Sequence, residues 1–183
     1  MNYKNTIILS ILFVGLISIT SCKKDDPVIP NEEEVITTVT YTLTPVGGGD
    51  PVILQFRDVD GDGGMDPVYT TDKLAANTSY SGSIELLNET ESPAEDVTEE
   101  VEEESDEHQF FFIFEGADAD VAYNDEDANG NPIGLSSTLT TGDASTGILT
   151  LVLRHQPNKP NDGTLSDAGG ETDLEVSFDC IIE

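Results

Sequence analysis

The sequence predicts an all-β fold, an immunoglobulin-like antiparallel β-sandwich with one short acidic helix inserted. Three observations lead there. Short stretches alternate apolar and polar side chains, the period of a half-buried strand. Clusters of Gly, Pro, Asn and Asp punctuate them as turns. Strands do not exchange regularly with long helices, as a parallel α/β sheet requires.

Taken in order, residues 35–44 put Val35, Val39, Tyr41 and Leu43 on one face and four threonines on the other. Gly47-Gly48-Gly49-Asp50-Pro51 turns the chain, and residues 52–57 return with Val52, Leu54 and Phe56 inward. Residues 80–87 form a third strand with Tyr80, Ile84 and Leu86 on one face. Ser92-Pro93-Ala94-Glu95 opens the helix, with serine as cap, proline at the first position and glutamate completing a capping box. Ala94, Val97 and Val101 share its apolar face. The aromatic run at 108–114 predicts a central strand buried on both faces. Residues 120–134 are polar and glycine-bearing, a loop, and residues 135–141 make a short strand. Residues 148–155 follow with Leu149, Leu151 and Leu153 inward. The last strand, 173–182, points Leu174, Val176, Phe178 and Cys180 inward and Asp173, Glu175, Ser177 and Asp179 outward.

The amino end has a different character. Lys4 is the only charge in residues 1–21, and residues 6–20 are almost wholly apolar. That run falls short of the roughly 20 apolar residues of a membrane span and fits a secretory signal peptide. Ile19-Thr20-Ser21-Cys22 resembles the lipobox of bacterial lipoproteins. The resemblance implies cleavage before Cys22 and lipid on its sulfur, with several acyl chains holding where one would not. Lys23-Lys24-Asp25-Asp26 resembles the export signal that sends some lipoproteins to the outer face of the outer membrane. The expected organisation is therefore a signal peptide at 1–21, a flexible tether at 22–33 and a β-sandwich domain at 34–183.

After cleavage 37 acidic residues remain against 6 basic ones. Such a surface excludes nucleic acid as a partner and disfavours anionic lipid head groups. It favours cations, a basic protein partner or plain solubility. With Cys22 lipidated, Cys180 has no partner for a disulfide and reads as a small buried hydrophobe.

Several constellations bear on function. Asp58, Asp60 and Asp62 alternate, Gly63 follows, and Asp66 stands ninth. The pattern resembles the first nine positions of an EF-hand-type loop, and equally the calcium loops of dockerins and thrombospondin type 3 repeats. Its twelfth place holds Tyr69 rather than a bidentate glutamate. Asp125, Asp127 and Asn129, with Gly130 sixth, form a second half-loop, whose twelfth place is Ser136. If their strand ends meet, each half-loop completes the other's oxygen shell. Residues 89–107 hold eleven carboxylates in nineteen positions, a solvated helix face or a docking surface for a basic partner. His108 and His155, the two histidines, sit at strand ends on faces that also carry core residues. If they meet, they and nearby Glu104 make a zinc or copper site. No GxSxG or HExxH motif is present and nothing selects a carboxylate pair, so the expectation is a binding module, not an enzyme.

The order TYTLTPVGGGDPV, FRDVDGDGG, LAANTSYSGSIELLNETESPAEDVTEEVEEE, DEHQFFFIF and LRHQPNK resembles a group of short acidic lipoproteins called "type 1 periplasmic binding fold superfamily" proteins. That label implies two α/β lobes, which need a length and a strand–helix alternation this chain lacks. The resemblance brings no catalytic residues. The expected function is a lipid-anchored, surface-exposed binding module that binds calcium and assists ligand uptake. The alternatives are receptor docking through the acidic helix and transition-metal binding.

Overall fold

The computed structural model describes residues 34–61 and 64–183. The expected signal peptide, Cys22 and the tether lie outside the described residues, as do Asp62 and Gly63. Among the described residues no helix is long and apolar enough to cross a membrane.

The domain is an antiparallel β-sandwich. One sheet has the order β3-β2-β1-β4-β8-β7: β3 (Val68–Thr71), β2 (Val52–Arg57), β1 (Thr38–Pro45), β4 (Ser79–Asn88), β8 (Ser136–Thr141) and β7 (Ala119–Tyr123). The two-residue β5 (Glu95–Asp96) joins it by pairing with β4. The other sheet holds β10 (Glu171–Ile182), β9 (Ser145–His155) and β6 (His108–Glu115), with β9 in the middle. The two-sheet architecture is the one the alternation predicts, with ten strands among the described residues in place of the seven expected.

Side chains from both inner faces form one core. Val39, Tyr41, Leu43, Tyr80, Ile84 and Leu86 from the larger sheet meet Leu149, Leu151, Leu153, Val176, Phe178 and Ile182 from the smaller. Every second residue is buried along β4 and most of β10, as a pleated strand requires. Tyr41 lies across Gly82 and donates to or accepts from Ser137 Oγ at 2.7 Å. A Cβ on Gly82 would stand 2.7 Å from the Tyr41 ring, so only glycine lets the ring cross the sheet there.

Four local expectations change. Val35 precedes β1 and is exposed, because the strand begins only at Thr38. The helix α1 (Val97–Glu103) is capped by Asp96, whose carboxylate accepts from Thr98 N at 3.0 Å. It therefore starts after the Ser92-Pro93-Ala94-Glu95 box, and Ala94 is exposed, while Val97 and Val101 are buried as their spacing predicts. The strand β6 is an edge strand, not a central one. Its outer side is closed by the loop after β7, where Phe110 N donates to Ile133 O at 2.6 Å. The short helix α2 (Leu165–Ala168) packs Ala168 against Phe111 on the back of the sheet, and this second cover explains the burial on both faces. Finally, part of the expected 120–134 loop is β7, five residues long, whose alternation is weak because Ala119, Val121 and Tyr123 are only half-buried and Ala122 shares the exposed face with Asp120.

Candidate metal centre

Two strand ends bring the histidines together. The strand β6 begins at His108, β9 ends at His155, and the antiparallel register pairs them directly. Their ring centroids lie 4.6 Å apart, as expected for directly opposed residues on one face. Both residues are buried. On the far side of β9, His155 pairs with Glu171, and then the register slips between Thr172 and Leu174. The slip is a β-bulge, which inserts one extra residue into the strand and re-aims its side chain. That residue is Asp173, and its side chain is fully buried beside both imidazoles. The outward orientation expected from strict alternation is thus corrected by the bulge. Gly170, with φ +72°, makes the tight approach over β9: a Cβ there would lie 2.4 Å from His155 O.

The geometry suits an ion between these groups. His108 Nε2 lies 3.6 Å from Asp173 Oδ2, and His155 Nδ1 lies 3.7 Å from Asp173 Oδ1. Both separations are too long for hydrogen bonds. Two donors about 2.1 Å from one tetrahedral zinc ion stand about 3.4 Å apart. One ligand atom each from His108, His155 and Asp173 fit within 4.8 Å of one another. His108 Nδ1 lies 3.3 Å from the Glu104 carbonyl, which only accepts, so Nδ1 carries the proton and Nε2 presents its lone pair. Neither His108 Nε2 nor His155 Nδ1 makes a hydrogen bond, although both are buried.

Carboxylates crowd around this core. Glu107 Oε2 lies 3.7 Å from His155 Nε2. Glu100 and Glu104 sit four residues apart, on one side of α1 and just beyond its end, while Glu99, Glu102 and Glu103 line an open hollow elsewhere on its surface. Glu34, just before β1, completes a second set with Glu104 and His108, again within 4.8 Å. Burial pushes the Glu34 carboxyl up to about 7, helped by its hydrogen bond to Glu100 and by the nearby charges of Glu100, Glu104 and Asp173. Burial, reinforced by His155, holds His108 down to about 4, so its imidazole is neutral at pH 7.

Lys159 fixes the floor of the site. Its Nζ donates to Ser105 O and to His108 O, both at 2.6 Å, and faces Asp127 Oδ2 at 3.6 Å. Burial pushes its ammonium below the usual range against the pull of Asp127.

The aspartate half-loops have a different structure. Asp125 accepts from Gly134 N and Ser136 N through its two oxygens, both at 2.8 Å. Asp127 Oδ1 accepts from Asn129 N and Asn131 N, and the cation facing its carboxylate is Lys159. In the first loop Asp58 accepts from Gly61 N and Asp60 from Met65 N, both at 3.0 Å, while Asp66 is exposed. Among the described residues Asp58, Asp60 and Asp66 do not converge on a shared point. The first loop joins β2 to β3 and the second joins β7 to β8, at opposite margins of the larger sheet. About four strand spacings, roughly 19 Å, separate them. The expectation that they complete each other's shell is thereby overturned.

Sequence reasoning paired His108 with His155 and noticed Glu104, but missed Asp173, Glu34, Glu107 and Lys159 as neighbours. The available signal was a histidine at each of two strand ends, one directly after Glu107. Comparison with protein-family models, curated proteins and solved structures finds no match. Function is therefore read from the chain's own side chains.

Proposed function

We propose that this is an exported, lipid-anchored binding module for a divalent transition-metal ion, held by His108, His155 and Asp173. The observation that supports it best is the pair of buried imidazole nitrogens without hydrogen bonds, each 3.6–3.7 Å from one buried carboxylate. A neutral imidazole lone pair facing a carboxylate suits a cation between them, and burial disfavours a proton on His108. Imidazole with carboxylate suits zinc, copper(II) or nickel. Cys180 is no ligand, since it pairs with Gly147 while His155 pairs with Glu171, which sets it about 25 Å along the strand from the histidines. The lipobox and the Lys-Lys-Asp-Asp that follows Cys22 support a place on the outer membrane surface, where the module would collect ions for an uptake partner.

Zinc titration with thermal melting tests this reading. At one hundred times Kd, bound zinc adds about 2.7 kcal/mol, which raises the Tm of a domain this size by about 5–10 °C. Failure of zinc, copper and nickel alike to shift the melt would reject it. The calcium reading has support only from the first aspartate loop, and receptor docking through the acidic helix only from its charge.

A further inference from the structure

We propose that Glu34 and Glu104 form an outer receiving position, sharing His108 with the inner centre, through which a hydrated divalent cation reaches His155 and Asp173. The inference rests on the reading of the inner centre as a metal site.

Two groups of ligand atoms converge among the described residues, and His108 belongs to both. The groups form a gradient from solvent inward. Glu104 is exposed, Glu34 is half-buried, and His108 and the Asp173 side chain are fully buried. Glu34 is hydrogen-bonded to Glu100 and lies in the field of Glu104 and Asp173, a gathering of like charge that a proton or a bound cation relieves. Hard carboxylate oxygens accept an ion that keeps most of its water. Imidazoles then hold a borderline metal more firmly. With Nδ1 committed to the Glu104 carbonyl, His108 offers one lone pair, on Nε2, to either position. The two positions are therefore alternatives, occupied in turn, and the stoichiometry is one ion per chain. The hollow lined by Glu99, Glu102 and Glu103 has carboxylates but no buried nitrogen donor, so it serves as a control surface.

Rapid mixing of the domain with zinc, read through a competing chelating dye, tests the route. E34Q/E104Q should slow association by on the order of tenfold while changing the equilibrium affinity by less than about threefold. D173N should weaken the affinity and leave the early association phase intact. E99Q/E102Q/E103Q, which removes more charge, should change neither. The proposal is overturned if E34Q/E104Q associates as fast as the unaltered protein. It is overturned also if that variant loses as much affinity as D173N, if the control slows association equally, or if two zinc ions bind at once. In each of those cases the inner centre still stands. Absence of any zinc binding by the unaltered protein would remove the inner centre, and this route with it.

Discussion

The aspartate-rich loops at the margins of the larger sheet and the histidine cluster at one end of the smaller sheet make a useful contrast. The loops are conspicuous as text, with carboxylates at every second position and glycine in the sixth place. In the folded chain four of those carboxylates accept from backbone N–H groups, and one also faces a lysine. The histidine cluster has no motif. Register, a bulge and a neighbouring helix assemble it from four segments separated in sequence, and one ring nitrogen of each histidine, His108 Nε2 and His155 Nδ1, makes no hydrogen bond. Alternating aspartates suit a tight turn as well as they suit an ion, because in both roles they accept from converging partners. Two buried imidazoles that each aim a nitrogen without a hydrogen bond at one carboxylate have fewer explanations.

The largest effect that would sharpen this contrast is loss of metal binding in H108Q/H155Q. Zinc affinity should fall by at least about 100-fold, measured by dye competition. An unchanged affinity would move the site elsewhere, with the first aspartate loop next in line.

The next effect concerns the second half-loop, whose cation is Lys159. The Lys159 and Asp127 side chains are almost fully buried, so K159M should cost about 3 kcal/mol in urea unfolding, as when one partner of a buried pair is removed. K159M/D127N should recover part of that loss. If millimolar calcium rescued K159M fully, the loop would be a calcium site after all.

A smaller effect appears in the pH dependence of the chelator-treated protein. His108 is held at about 4 in the fold, so between 6.5 and 4 the unfolded chain binds its proton first and stability falls as pH falls. Glu34 is held at about 7, so the folded chain keeps its proton between 4.5 and 7 and stability falls as pH rises. The two slopes oppose each other from pH 4.5 to 6.5. Relative to the unaltered protein, E34Q should therefore gain stability steadily as pH rises from 4.5 to 7, read from urea midpoints. A constant difference across that range would contradict the carboxylate crowding.

The smallest effect belongs to the first loop. D58N and D60N each remove an exposed acceptor of one backbone N–H and should change stability by less than about 1 kcal/mol, with zinc affinity unmoved. Millimolar calcium should shift the melt by less than about 1 °C. A calcium shift as large as that with zinc would reverse the contrast.

Much of the sandwich was legible because alternation is local. Val39, Tyr41, Leu43, Ile84, Leu86, Leu149, Leu151 and Leu153 are read inward from spacing and are buried. The candidate site was legible only in part. His108 and His155 stand at the ends of strands whose pairing is long-range, so no local pattern says that they face each other. Asp173 was read outward because a bulge reverses the alternation beyond it, and nothing in Glu171-Thr172-Asp173-Leu174 announces the inserted residue. Glu34 and Lys159 reach the site from segments remote in sequence. The edge position of β6 was hidden because the loop after β7 and helix α2 bury an edge strand as thoroughly as neighbouring strands would.

X-ray absorption at the zinc edge, on the domain loaded with one equivalent, tests the central claim most directly. The prediction is a nitrogen and oxygen shell at about 2.0–2.1 Å with the outer-shell scattering of two imidazoles, reduced to none in H108Q/H155Q. An all-oxygen shell, or a spectrum unaltered by that double substitution, would contradict it.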